Sequence, residues 1–123
     1  MLAAAALFHH VSGAVAAAPD GAAIYASKCA ACHQAAGTGI AGTFPPLAGN
    51  PVVTGDPKKL IPIVTGGMSG KITVAGTAYN GSMPAWKGQL GNDEIAAVLT
   101  YIRSSWGNKA SAIKPSQVKQ GPE

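Results

Sequence analysis

The last third of the chain carries the clearest alternation of apolar and polar positions. Four apolar residues there follow the i, i+3, i+4, i+7 spacing that places side chains on one face of an α-helix: Ile95, Val98, Leu99 and Ile102. Asn92 is a favourable N-cap, acidic residues follow it in the first turn, and Gly107 is a typical stop signal. The pattern predicts an amphipathic helix between Asn92 and Gly107, with Arg103 near its end.

Two earlier segments also have helical start signals. Pro19 and Asp20 open the first, which continues through "PDGAAIYASKCAACH" to His33. In the second, Asp56 is the predicted N-cap and Pro57 the first helical residue. Its apolar side chains recur on one face before a glycine pair: Leu60, Ile63 and Val64. Both segments are therefore predicted to be helices.

The rest of the chain is rich in glycine and proline and is predicted to be largely loop. Residues 34–51 show no periodicity, residues 71–79 alternate around an Ala-Gly turn as a short β-hairpin does, and residues 80–86 form another loop. Residues 108–123 are polar and are predicted to be a mobile tail or a linker. We therefore expect one mainly α domain over residues 19–107.

Residues 1–18 are small and apolar and end in alanine-rich triplets, as signal peptides do before a cleavage site. The usual basic start is missing, since no Lys or Arg precedes Lys28. The segment is too short, and too interrupted by residues such as His9, His10 and Gly13, to span a membrane. We favour a signal peptide, with a disordered alanine-rich extension as the alternative and no role for the two histidines.

The composition suggests that a bound group completes the core. Only 6% of the 123 residues are aromatic, and much of the 47% hydrophobic content is alanine. Such a chain has little bulky side-chain volume with which to fill a core, and a large flat cofactor would fill it well.

The charge balance bears on partners. The formal net charge is +4, but the basic residues are scattered and include a single arginine. A nucleic-acid surface would need clustered Lys and Arg with interleaved aromatics. An acidic protein partner is therefore favoured over nucleic acid.

Both cysteines lie in a C-x-x-C-H motif formed by Cys29, Cys32 and His33. A disulfide between residues only three positions apart would stabilise the fold very little, and a structural zinc site would need four ligands. A thioredoxin-like redox site would need a βαβ pattern, which the chain lacks. Covalent haem attachment uses all three residues, with two thioethers to the porphyrin and the imidazole on the iron. The motif therefore predicts one covalently bound haem c.

A haem carrier also needs a second axial ligand, and Met83 is the prediction. It lies on a loop between the hairpin and the last helix, which lets the chain wrap the other face of the ring, and Pro84 restricts the backbone there. Met68, between glycines, is expected to pack near the ring. A methionine is ordinarily core filler, but the pairing with C-x-x-C-H favours iron ligation. The predicted iron ligands are His33 and Met83.

The segment "FPPL" after the motif suggests how the histidine is oriented. A ligating histidine donates its other ring N–H to a carbonyl or a similar acceptor. Pro45 is the predicted acceptor, because two prolines hold that backbone rigid, and Leu47 would then pack on the ring. An ordinary proline turn is the alternative.

Together these residues resemble a class I cytochrome c of the small bacterial mono-haem type. The resemblance implies three to four helices around one covalently bound haem, with the first and last helices crossing at Gly21 and Tyr25 on one side and Val98 and Tyr101 on the other. The chain is also similar to haem c domains that accompany periplasmic dehydrogenases or copper nitrite reductases and oxidases. The resemblance rests on residues in family order: Cys29, Cys32, His33, Pro45, Leu47, Met83 and Pro84.

The functional prediction is a periplasmic one-electron carrier that docks redox proteins through an acidic surface of the partner. Lys28 and Lys87 are the candidate docking residues, with plain surface lysines as the alternative. Tyr79 and Trp86 are candidates for contact with the haem, although core packing explains Trp86 better. Two alternatives stay open: an enzyme or gas sensor with an open iron face, and a haem subunit or module of a larger dehydrogenase, reductase or oxidase.

Overall fold

The computed structural model describes residues 18–119, so the prediction for residues 1–17, His9 and His10 included, lies outside the described residues. The described part is mainly α, as expected, but it has six helices. The predicted first helix is interrupted at Cys29, and the single turns Pro51–Thr54 and Pro115–Val118 were not predicted. None of the described helices is long and apolar enough to cross a membrane. The elements in chain order are α1 Gly21–Lys28, α2 Ala30–His33, α3 Pro51–Thr54, α4 Pro57–Gly66, β1 Met68–Val74, β2 Thr77–Met83, α5 Asn92–Arg103 and α6 Pro115–Val118.

The first and last long helices pack against each other at Gly21. A Cβ there would overlap the carbonyl group of Ala97 and lie 3.0 Å from the Cβ of Tyr101, so only glycine allows this approach. Tyr25, one turn later, is 2% exposed, and its ring centroid lies 5.4 Å from that of Tyr101. The predicted contact between the first and last helices is confirmed.

Helix α5 supplies the centre of the core. All four residues of its predicted apolar face are buried, and Leu99 is completely so. The predicted cap is displaced by one residue: Asn92 is the first helical residue, and Gly91 is the N-cap. The reason is Glu94, whose carboxylate accepts a hydrogen bond from the Gly91 N–H at 3.0 Å and so fixes the start of the helix there.

Helix α4 begins as predicted, with the Asp56 carboxylate accepting a hydrogen bond from the Lys58 N–H at 2.9 Å and Pro57 as the first helical residue. Its buried face differs from the prediction at one position. Ile61 is buried, whereas Ile63 is only partly so. Ile63 lines an internal cavity, which deprives it of protein neighbours on that side.

The predicted hairpin is present and longer than expected. Strands β1 and β2 pair antiparallel, with Met68 opposite Met83, around a turn at Ala75 and Gly76. Met83, predicted to lie in a loop, is therefore the last residue of β2. Because side chains of directly paired residues lie on the same face of a hairpin, the two methionines share one face.

The prediction of a mobile polar tail is wrong for residues 108–119. Ile113 and Val118 are each 4% exposed and belong to the hydrophobic core. The Ile113 N–H also donates to the hydroxyl of Thr100 on α5 at 2.9 Å. Two well-spaced apolar residues are enough to hold this segment on α5, although its average composition is polar.

Candidate functional site

The structure contains a cavity of about 380 Å³ between α4, α5, the hairpin and the segment around α2. Protein interiors are normally packed without voids of this size, and its volume falls within the usual range for ligand sites. Its walls are mostly apolar, as a binding site for a large apolar group requires. Representative wall residues from the different elements are Phe44, Leu60, Ile72, Val98, Leu99 and Ile102.

Both cysteines line this cavity, at the junction of α1 and α2. Cys29 and Cys32 are unpaired, partly buried thiols. Burial, and secondarily the nearby Cys32, raises the pKa of the Cys29 thiol to about 11. Cys29 therefore stays protonated at neutral pH, unlike the thiolates of redox-active C-x-x-C sites. The structure therefore places two thiols beside an apolar space, and the protonated state of Cys29 disfavours the thioredoxin-like alternative.

His33, the last residue of α2, lines the same cavity and is 9% exposed. Its Nδ1 lies 3.0 Å from the carbonyl oxygen of Pro45, so the predicted hydrogen bond is present. Because a carbonyl can only accept, Nδ1 carries the proton, and the neutral ring keeps the Nε2 lone pair available to a metal. Burial lowers the pKa of His33, although the Pro45 hydrogen bond partly opposes this, so the neutral form dominates at neutral pH.

The loop that carries Pro45 is held from two directions. The N–H groups of Leu47 and Ala48 both donate to the Gly37 carbonyl, at 2.8 and 3.0 Å. From the C-terminal side, the buried Asn108 amide donates to the Leu47 carbonyl at 3.0 Å. These contacts fix the carbonyl of Pro45 beside His33 and keep the Leu47 side chain in the cavity wall.

Met83 reaches the cavity from the hairpin and is partly buried. Its cross-strand neighbour Met68 also lines the cavity but is 37% exposed. A thioether is a soft ligand with no proton to lose, so no deprotonation has to precede its binding to iron. The structure thus brings His33 and Met83, from elements far apart in sequence, to one cavity.

Comparison with known proteins identifies the family of the chain. The cytochrome c family model matches residues 18–106. The chain belongs to the cytochrome c family. A cytochrome c-552 of Thermus thermophilus is 46% identical over 102 residues, which cover 78% of this chain and 76% of that protein.

Other relatives of this cytochrome c are parts of larger assemblies. The cytochrome c subunit of a quinone alcohol dehydrogenase from Gluconobacter oxydans is 45% identical over 92 residues, covering 73% of this chain and 19% of that subunit. The gluconate 2-dehydrogenase cytochrome c subunit of Pantoea cypripedii is 41% identical over 95 residues, covering 75% of this chain and 21% of that subunit. The chain thus matches about a fifth of each such subunit.

As a cytochrome c, the protein is an electron-transfer protein that carries one covalently attached haem c. The residues present fit that group, since a large apolar cavity, two free thiols and a neutral imidazole with an available nitrogen lie together. Over residues 18–119, no group of three or more His, Cys, Asp or Glu side chains is arranged so that it could hold a metal ion, and a structural zinc site needs four ligands.

All predicted site residues lie on the cavity wall, namely Cys29, Cys32, His33, Pro45, Leu47, Tyr79 and Met83. Trp86 lies there too and packs against the hydrophobic core as well, so its two predicted roles coincide. Sequence reasoning missed the wall residues Ile72 and Val74. Both lie on the hairpin face that carries Met68 and Met83. Side chains alternate between the two faces of a strand, so taking every second residue after Met68 would have identified them.

Proposed function

We propose that this cytochrome c is a periplasmic one-electron carrier in which His33 and Met83 hold the iron and Cys29 and Cys32 attach the haem. The observation that carries the proposal is that these four side chains line one apolar cavity. A nitrogen and a thioether are the ligand pair that raises a haem potential above that of two histidines.

When bound, the haem supplies an iron that gains or loses one electron. The task of the protein is then to keep the ligands in place in both oxidation states. The hydrogen bond from Nδ1 of His33 to the Pro45 carbonyl fixes the ring and its tautomer. Neither ligand has to move or change protonation, and this keeps the reorganisation small.

The cavity walls have a second role. The apolar side chains around His33 and Met83 exclude water from the iron site. A less polar environment disfavours the more highly charged ferric state, so burial adds to the effect of the thioether on the potential. We therefore expect the haem to have a positive reduction potential.

We further propose that Lys28 and Lys87 help to dock an acidic partner at the cavity mouth. Lys28 is exposed and lies at the edge of the cavity beside Cys29. Lys87 is exposed on the segment that follows Met83. One cation at the cavity edge and a second four residues after Met83 would steer a negatively charged partner toward the haem.

Charge reversal tests the docking surface. The double variant Lys28→Glu, Lys87→Glu should slow electron transfer to an acidic redox partner about tenfold or more at low salt, and the difference should fade at high salt because ions screen the attraction. Stopped-flow mixing over a series of salt concentrations measures this. Lys58→Glu, Lys59→Glu is the matched control, since it changes the charge equally at the start of α4, where neither residue lines the cavity or follows Met83. Equal electron-transfer rates for the two double variants at low salt would show that Lys28 and Lys87 do not form a docking surface.

A permanent subunit is the second candidate, favoured by the identity to dehydrogenase cytochrome c subunits. In that case the haem chemistry is the same, but the docking surface faces a fixed neighbour. Size-exclusion chromatography of the protein from its native cells separates the two, because a carrier elutes alone and a subunit elutes with its enzyme.

We also propose that residues 1–18 are a leader that directs the chain to the periplasm and that residues 19–107 are the haem domain, with residues 108–119 packed onto it. The apolar, alanine-ended composition of the first segment supports this. Sequencing the N-terminus of the protein recovered from the periplasm tests it, since cleavage near Ala18 is expected and an intact Met1 would contradict it.

A potentiometric titration tests the carrier function itself. The holoprotein should titrate as a single centre with the slope of a one-electron couple, about 59 mV per decade. A multi-electron slope, or a second redox centre in the same chain, would overturn the assignment.

A further inference from the structure

The segment that carries Met83 lies directly against the end of α4. Gly67 follows that helix with a φ of +75°. A Cβ built there would lie 2.7 Å from the Met83 carbonyl oxygen and 2.9 Å from the Ala85 nitrogen. Such distances are shorter than any real side chain tolerates, so the two backbones touch because position 67 has no side chain.

Hydrogen bonds join the same two segments just beyond this contact. The Trp86 N–H donates to the Val64 carbonyl at 3.0 Å, and the Lys87 N–H donates to the Thr65 carbonyl at 3.1 Å. Carbonyls in the last turn of a helix have no partner within the helix, so α4 offers them to the methionine segment. The end of α4 and residues 83–87 therefore form one packed unit.

The strand is also held on the other side of Met83. The Asn80 N–H donates to the Gly42 carbonyl at 2.9 Å. A Cβ at Gly81 would lie 2.6 Å from the Thr43 carbonyl oxygen, so here too the backbones meet directly. Met83 thus lies between two anchors, one on α4 and one on the loop that leads to Pro45.

We propose that Gly67 and Gly81 are positioning residues for Met83 and form a backbone clamp that sets how far its thioether enters the cavity. The inference rests on the proposed function, in which Met83 binds the iron. A thioether is a neutral, weak ligand, so the protein must hold it within a fraction of an ångström of the bonding position. Displacing the backbone at either anchor weakens the bond between Met83 and the iron, even though Gly67 lies outside the cavity wall and Gly81 contributes only backbone to it.

Competition with imidazole measures the strength of the bond between Met83 and the iron. Imidazole binds ferric haem only when the methionine leaves, so its apparent affinity rises as Met83 is held less well. We expect the Gly67→Ala holoprotein to bind imidazole about tenfold more tightly than Gly76→Ala, because the clash adds to the cost of the left-handed backbone. Gly76 is the matched control, with a φ of +83° and open space around it.

Gly81→Ala provides an independent test and also covers the case in which Gly67→Ala does not fold. Gly81 has no positive φ, so alanine adds no strain of that kind there. The overlap of its Cβ is with the Thr43 carbonyl oxygen, whereas the Phe44 ring, at 3.7 Å, is in ordinary contact. Its control is Gly66→Ala, which also has no positive φ and meets nothing within 4 Å. We expect tighter imidazole binding and a weaker methionine–iron band in the ferric spectrum than in Gly66→Ala.

The outcomes separate the clamp from the proposed function. If the wild type shows the methionine–iron band but both variants bind imidazole as their controls do, the clamp is wrong and Met83 remains a ligand. If the wild type lacks the band and binds imidazole as tightly as Gly67→Ala, Met83 is not a ligand, and both proposals are overturned.

Discussion

Replacing Met83 by alanine should lower the reduction potential by on the order of 0.1 V or more, because the axial thioether favours the ferrous state and water would take its place. Met83 lines the cavity and is held between backbone anchors on both sides. The same change should open the iron, so that the ferrous protein binds carbon monoxide. Potentiometry and carbon monoxide titration of the purified holoprotein measure the two effects.

Met68→Ala is the matched control for this experiment. The residue is also a methionine, pairs directly with Met83 across the hairpin and lines the same cavity. Its loss should leave the ferric methionine–iron band in place and shift the potential much less. If Met68→Ala removed the band and Met83→Ala kept it, the ligand assignment would have to move to Met68.

Replacing Arg103 by methionine should destabilise the protein by about 3 kcal/mol, although the residue does not line the cavity and has no predicted role in haem binding. Arg103 is 2% exposed. Its Nη1 donates to the carbonyls of Val53 and Gly55 at 2.9 and 2.8 Å, and its Nε donates to the Ser111 carbonyl at 2.8 Å. Methionine fills similar space but leaves the buried Val53 carbonyl, and the part-buried carbonyls of Gly55 and Ser111, without this donor.

Urea unfolding of the ferric holoprotein measures this loss. Lys109→Met is the control, since it removes a nearby but exposed cation and should change the free energy of unfolding by less than about 0.5 kcal/mol. A similarly small change for Arg103→Met would mean that water replaces the guanidinium at no cost, and that Arg103 does not join the C-terminal segment to α3.

Local rules were sufficient where one segment decides its own structure. The apolar face of α5, the Asp56 cap of α4 and the turn of the hairpin each depend on residues within a few positions of each other, and each was predicted. The C-x-x-C-H motif is local in the same sense. The hydrogen bond from His33 to Pro45 was also predicted, because two adjacent prolines hold that backbone rigid and have no N–H of their own to compete.

Contacts between distant segments were not predictable in this way. In the sequence, Arg103 is an ordinary basic residue at the end of a helix. Its hydrogen bonds to the carbonyls of Val53 and Gly55 depend on the folded arrangement of distant segments. Ile113 and Val118 are isolated apolar residues in a polar stretch, so composition predicted a tail where the structure has core. Gly67 looks like a helix stop, and its contact with Met83 appears only when the backbones are placed side by side.

The optical spectrum of the haem-loaded protein, oxidised and then reduced, tests the central claim most directly. With iron held by His33 and Met83, we predict a low-spin ferrous spectrum, a weak ferric methionine–iron charge-transfer band and little binding of carbon monoxide. A high-spin spectrum with ready binding of carbon monoxide would contradict the account. The iron would then have an open face, and catalysis or gas sensing would replace electron carriage as the proposed function.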